Sequence, residues 1–226
     1  MQAQTLQLSV VIAGADNNPT VLNPDFLHYN EIVPEKWGWQ QVAPSISTPP
    51  FSQVSYDSGV TITVDPTKIQ IVDKSSSPTI ANTHIIEMAQ KYVNTLRHVA
   101  YSATGLNFTA YVPIENPSEY IKARFMRSGT WDTLDYPLNE VGLRLVYVLE
   151  QGRINFSIDP GEVAPLSNDE DLNSFQLLKS VVINANFHRD CLSEYPNKLE
   201  EVLRNLDYAS QDESKYQTLL HEILLT

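Results

Sequence analysis

The sequence predicts an α+β protein: a large, mostly antiparallel sheet of hairpins with about four helices packed on one face. Three observations lead there. Short alternating apolar runs are divided by turn residues, as where Val60-Thr61-Ile62-Thr63-Val64 meets Asp65-Pro66-Thr67-Lys68 and then Ile69-Gln70-Ile71-Val72. Helical spacing is confined to a few stretches, clearest where Ile85, Met88, Ala89, Tyr92, Val93 and Leu96 recur every three or four residues. The strands follow one another as hairpins instead of alternating singly with helices, which is the order of an antiparallel sheet.

The first strand is marked by Leu6, Leu8, Val10 and Ile12 on one face. No Lys or Arg precedes it, so it reads as a strand and not as a signal peptide. Residues 15–50 have little periodicity and contain Pro19, Pro24, Pro34, Pro44 and the pair Pro49-Pro50. Proline removes a backbone donor and restricts its predecessor, so an extended segment is expected. Phe26, Leu27, Ile32, Val33, Trp37 and Trp39 make it too apolar for a free linker; it is expected to lie on the protein body or on a neighbour.

A meander follows from Gln53 through the Asp57-Ser58-Gly59 turn to Val72, and then the helix around residues 85–96. Residues 99–112 read as a strand interrupted by Gly105. Asn116-Pro117-Ser118-Glu119 opens a short helix with a cap, Pro at the first position and a capping-box glutamate. Alternation returns at Val141–Leu149, at Ile154–Ile158 and through Leu177–His188, with residues 161–173 an exposed acidic loop. Two helices close the chain. One carries Leu199, Val202, Leu203 and Leu206; the other starts at Ser210 with Glu213 three residues on. All 226 residues are read as one domain; strand-plus-helix units in both halves suggest a duplication, without a residue alignment to establish it.

Composition narrows the function. There are 15 Lys+Arg against 27 Asp+Glu, for a net charge of −12, with 42% apolar residues and one cysteine. Residues 1–78 hold 3 basic and 7 acidic groups, residues 79–188 hold 8 and 12, and residues 189–226 hold 4 and 8. Each part therefore stands at −4, and no basic domain is hidden that would bind a phosphate backbone. No nucleic-acid partner and no membrane partner are expected, since no apolar run reaches the roughly 18 residues of a spanning helix. Lone Cys191 excludes an internal disulfide framework and agrees with a cytoplasmic location.

The search for chemistry returns no metal, cofactor or catalytic motif. His84 and His98 are fourteen residues apart, roughly 21 Å along a helix, and cannot share an ion. The segment Asn168–Asp171 lacks the alternation and glycine of a calcium loop. No dinucleotide, phosphate-loop or Gly-x-Ser-x-Gly pattern occurs. His188-Arg189-Asp190-Cys191 is the most suggestive tetrad, at the end of a strand whose Asn184, Asn186 and His188 share one face. Asn107, Thr109 and Tyr111 form a similar polar stripe, as do Asn155, Ser157 and Asp159. If those strands are neighbours, the sheet presents a broad polar face.

Four phrases in order, Asn23-Pro24-Asp25-Phe26-Leu27, Ile32-Val33-Pro34 to Trp37, Ser58-Gly59-Val60-Thr61-Ile62 and Ala103-Thr104-Gly105-Leu106-Asn107-Phe108, resemble an uncharacterised family of bacterial, chiefly cyanobacterial, proteins. The resemblance spans about residues 5–115. It implies a self-standing bacterial cytosolic protein and transfers no functional residue.

Two functional expectations follow. The first is a non-enzymatic binding or assembly protein, a homo-oligomer or a binder of another protein. It would use the 15–50 segment and an open sheet face, with Phe26, Leu27, Trp37 and Trp39 as interface candidates. The alternative is an enzyme or small-ligand binder with a pocket on the polar face, drawing on Asn107, Asn186, His188 and Asp190.

Overall fold

A computed structural model describes residues 2–164, 177–193 and 197–225 of the chain. The acidic stretch Asn168–Asp171 lies outside the described residues. Within them the fold is the expected α+β arrangement, built on one nine-stranded antiparallel sheet. The strands are β1 (Gln4–Ala15), β2 (Ile46–Thr48), β3 (Phe51–Ser55), β4 (Val60–Asp65), β5 (Lys68–Asp73), β6 (Ala100–Pro113), β7 (Leu143–Leu149), β8 (Gly152–Val163) and β9 (Leu178–Asp190). Their spatial order is β2-β3-β4-β5-β1-β6-β9-β8-β7. Five α-helices accompany them: α1 (Pro24–Tyr29), α2 (Ile85–Thr95), α3 (Pro117–Phe125), α4 (Asn197–Asp207) and α5 (Ala209–Leu220).

The two-residue period of a strand sends alternate side chains to opposite faces, and here one face is mainly apolar, with Ser52, Asp73, Thr104 and Arg189 buried among its apolar residues. Leu8, Val10 and Ile12 of β1, Ile62 and Val64 of β4, and Ile69 and Ile71 of β5 are buried on it. So are Leu106, Phe108 and Ala110 of β6, Ile154, Phe156 and Ile158 of β8, and Val181, Ile183, Ala185 and Phe187 of β9. The register sets these residues side by side, Val10 against Ile71 and Leu106, and Leu106 against Phe187. The helices cover this face. Helix α2 buries Ile85, Met88, Ala89, Tyr92 and Val93, and α5 stacks Tyr216 on Phe108 at 4.6 Å between ring centres.

The two halves share a strand topology. In each, a long strand is followed by a helix and a meander whose last strand pairs with the first, and a helix follows; the first half carries one more strand, β2, at its outer edge. The first half runs β1, α1, β3-β4-β5, α2; the second runs β6, α3, β7-β8-β9, α4. Strands β1 and β6 pair antiparallel, Ser9 facing Asn107 near their middle. The sheet is therefore pseudo-twofold about that pair.

Several local expectations change. Residues 15–50 are not simply extended. They form α1, two 3-10 turns at Pro19–Val21 and Glu35–Trp37, and the short β2. Asn23 caps α1 by accepting from the Phe26 amide at 2.8 Å, with Pro24 at the first helical position. His84 and His98 both lie outside α2, which ends at Thr95. The strand containing Gly105 is continuous. Helix α3 ends at Phe125, before Gly129, and its Asn116 makes no side-chain cap bond. Glu213 does not close a capping box on α5; its carboxylate accepts from the Ile80 amide at 2.9 Å.

Candidate functional site

The face of the sheet opposite the helices is polar along its centre, because the three polar stripes fall on adjacent strands. Asn155 of β8, Asn186 of β9, Asn107 of β6 and Ser9 of β1 are register partners in one row. Their side chains form a ladder with a single direction. The Asn155 amide donates to Asn186 Oδ1 at 3.1 Å, Asn186 donates to Asn107 Oδ1 at 2.6 Å, and Asn107 donates to Ser9 Oγ at 3.2 Å. Arg144 of β7 extends it, donating to Asn155 Oδ1 at 3.4 Å. Beside the ladder Thr109 donates to Asn184 at 2.9 Å, and Tyr111 to Gln4 at 2.6 Å.

Gly105 belongs to this arrangement. A Cβ there would sit 3.0 Å from Asn186 Nδ2, so the missing side chain leaves the space the amide occupies. Asn155 and Asn186 each donate once and accept once within the ladder, whereas Asn107 donates to both Ser9 Oγ and, at 3.4 Å, the Ser9 carbonyl.

The tetrad at residues 188–191 is divided between two environments by the strand's alternation. His188 and Asp190 point to the open face, with Nε2 and Oδ1 at 2.9 Å, and Arg153 stands 3.8 Å from Asp190. Arg189 points the other way, into a bidentate pair with Asp212 of α5 at 2.6 and 2.7 Å. Its guanidinium also lies over the Tyr208 ring at 4.8 Å. Cys191 is buried beside Asn205, and burial pushes its thiol up to about 11. A thiol so raised is protonated at neutral pH and is no nucleophile there. The four pocket candidates thus share one surface, as two bonded pairs: Asn107 with Asn186, and His188 with Asp190. The surface is an open sheet. The cavities described for this chain of 410 and 550 Å³ lie elsewhere, around α3 and the start of β7.

The interface candidates of the proline-rich segment dock on the chain itself. Leu27 is part of the core, and Phe26 meets Tyr92 edge to face at 6.2 Å. Trp37 stacks on His84 at 4.1 Å and lies 4.8 Å from Trp39, which reaches Tyr56 at 5.7 Å. This aromatic cluster straps the segment across α2 and β3 and is half-buried. His84, immediately before α2, belongs to this cluster and not to a metal site, stacking on Trp37 and meeting Trp39 at 5.7 Å. Among the described residues no group of His, Cys, Asp and Glu is arranged to hold a metal ion, and no helix is long and apolar enough to cross a membrane.

One further surface had no sequence forecast. Strand β7 ends the sheet, and its Val146 and Val148 are 55% and 88% exposed on the open face. Its other apolar side chains, Leu143, Leu145, Tyr147 and Leu149, pack against the core. The signal was present in the residues: Leu143-Arg144-Leu145-Val146-Tyr147-Val148-Leu149 is apolar on both faces save for Arg144.

Fold and face together define a class: an α+β protein whose antiparallel sheet carries helices on one side and a polar ladder on the other. No protein-family model matches the chain, and no curated protein matches it in sequence.

Proposed function

We propose that this is a non-enzymatic assembly protein that pairs with a second copy of itself through the β7 edge and the adjoining open sheet face. One observation carries the reading: save for Arg144, β7 is apolar on both faces, whereas the neighbouring β8 and β9 are apolar on one face and mainly polar on the other. Runs apolar on both faces belong to strands buried on both sides. Here one side of β7 meets the core and the other presents exposed Val146 and Val148. An edge strand also carries a row of backbone donors and acceptors that a second strand satisfies. Antiparallel β7–β7 pairing is self-complementary, as a two-fold dimer requires.

Within the same proposal the setting is a bacterial cytosol, supported by the family its phrases resemble and by a single, buried cysteine. The net charge of −12, shared evenly along the sequence, supports a partner that is not a nucleic acid. The 15–50 segment serves as a strap within the chain and not as the contact surface.

Light scattering coupled to gel filtration tests the reading on the full chain and on Val146→Lys/Val148→Lys. A dimer that becomes a folded monomer on substitution is expected, since each buried valine contributes roughly 1.5 kcal/mol or more and lysines would repel across the axis. A wild-type monomer at high micromolar concentration, or a dimer indifferent to both lysines, would overturn it.

A further inference from the structure

The pseudo-twofold sheet allows each half to be compared with the other, and the comparison isolates a groove. In the first half the chain leaving α1 turns at once into the core, burying Ile32 and Val33. In the second half the chain leaving α3 does not. It runs over residues 126–142 with Leu134, Tyr136 and Leu138 exposed, and leaves an apolar groove of about 410 Å³. Ile121 and Phe125 of α3 line one wall, Trp131 and Leu138 another, and Leu143 of β7 the end. That volume lies within the range of sites that hold a ligand or a pair of apolar side chains.

The walls are tied in place. Ser118 Oγ accepts from the Val141 amide at 3.2 Å and donates to the Asn139 carbonyl at 3.4 Å, holding the returning chain against α3. Lys122 pairs with Asp132 at 3.2 Å and lies 5.3 Å from the Trp131 ring centre, holding the other end.

Glu140 stands at the rim of this groove and also lines a second, polar cleft of about 550 Å³. Glu115, Glu119, Glu140 and Glu162 line that cleft with Lys179, and Lys122 reaches Glu119 at 4.0 Å, so acidic groups outnumber the basic ones. Glu140 is exposed and makes no hydrogen bond or ion pair with another described residue. The surface is therefore an apolar slot continuous with an acidic one.

We propose that this double groove docks an extended peptide segment of a protein partner, with one or two large apolar side chains in the slot beside Trp131 followed by Lys or Arg against Glu140 and its neighbours. Charge complementarity selects the occupant: the acidic cleft favours basic residues and repels acidic ones. Aromatic anchors in apolar slots dominate such contacts. The site is separate from the exposed face of β7, so peptide binding and self-association answer to different substitutions.

The experiment is panning of a random twelve-residue phage-displayed peptide library on the full-length protein, then fluorescence anisotropy with the enriched peptides after synthesis. The expected consensus places Leu, Ile, Phe or Trp next to Lys or Arg. Glu140→Lys, at an exposed and unbonded position, should weaken the peptides by about tenfold or more with the thermal melt unchanged. Trp131→Ala should weaken them similarly, and raising the salt should weaken wild-type binding and leave little further effect on Glu140→Lys. No enriched peptide, or peptides indifferent to both substitutions, would overturn the proposal. So would an apolar consensus without basic residues, which would point to a small apolar ligand in the slot. Val146→Lys/Val148→Lys leaves peptide binding intact, so failure of the dimer and failure of the groove are read separately.

Discussion

The buried Arg189–Asp212 pair permits the sharpest test, because it decides whether the most suggestive tetrad in the sequence is structural. Asp212→Asn keeps the shape and removes the charge. The two side chains are 5% and 1% exposed, so the guanidinium would be left inside without a counter-ion. Removing one member of a buried pair costs about 3–5 kcal/mol, most of it the uncompensated charge. The Tyr208 ring at 4.8 Å faces the guanidinium in both forms and cancels in the difference. A loss of about 3–5 kcal/mol would be a large share of the roughly 5–15 kcal/mol typical of a domain. With a urea slope of about 2–3 kcal/mol per molar, the midpoint should fall by roughly 1–2 M in tryptophan-fluorescence or circular-dichroism melts. Arg189→Met/Asp212→Leu, which removes both charges and keeps the apolar volume, should return to within about 1 kcal/mol of wild type. A midpoint shift under about 0.3 M for Asp212→Asn would refute the argument, as would a double variant no better than the single.

Two other predictions follow from the same strand and its neighbours. Cys191, raised from 9.0 to about 11, should react with a disulfide reagent at pH 8 about a hundredfold more slowly than a free thiol, and at the free rate in urea. Since the fold favours the protonated thiol, its contribution to stability is complete below pH 9 and lost as pH rises through about 11; urea melts over that window give the sign. Asn186→Ala breaks the ladder at its centre, losing bonds of 3.1 and 2.6 Å, and should cost about 1–2 kcal/mol. A double-mutant cycle with Asn107→Ala should show coupling of about 0.5 kcal/mol or more, and additivity would show that the amides act separately.

The sequence was legible where one strand or one helix decides its own pattern. Val60–Val64 and Ile69–Val72 alternate because one face is buried, and that rule needs no knowledge of neighbours. It failed where a neighbour decides. Gly105 looked like a break in β6 because glycine weakens strands, yet its role is to clear space for Asn186 across the sheet. Glu213 satisfied the capping-box spacing, but the Ile80 amide, 133 residues away in the chain, takes its carboxylate. Ile46–Thr48 is too short to show alternation at all, and β2 went unforecast. The density of prolines hid α1, although Asn23-Pro24-Asp25 carries a cap, a first-position proline and an acidic first turn. The polar stripes were visible singly; only the order β6-β9-β8 makes them one ladder.

The pseudo-twofold sheet also bears on how far assembly could proceed. A molecule with two equally available edges would add copies at both and grow without end. Here the halves end differently. The first is finished by β2, three residues long, flanked by Pro44 and Pro49-Pro50. A short strand between prolines offers few backbone groups to a newcomer. The second half ends in β7, seven residues without a proline or glycine, and with valines exposed. On the proposed pairing, one blunted edge and one open edge would allow a single isologous junction, with no equivalent edge left over. The unequal outermost strands would then limit assembly to a pair. Replacing the blunted edge would reverse this: removing the proline pair should produce concentration-dependent species larger than a dimer.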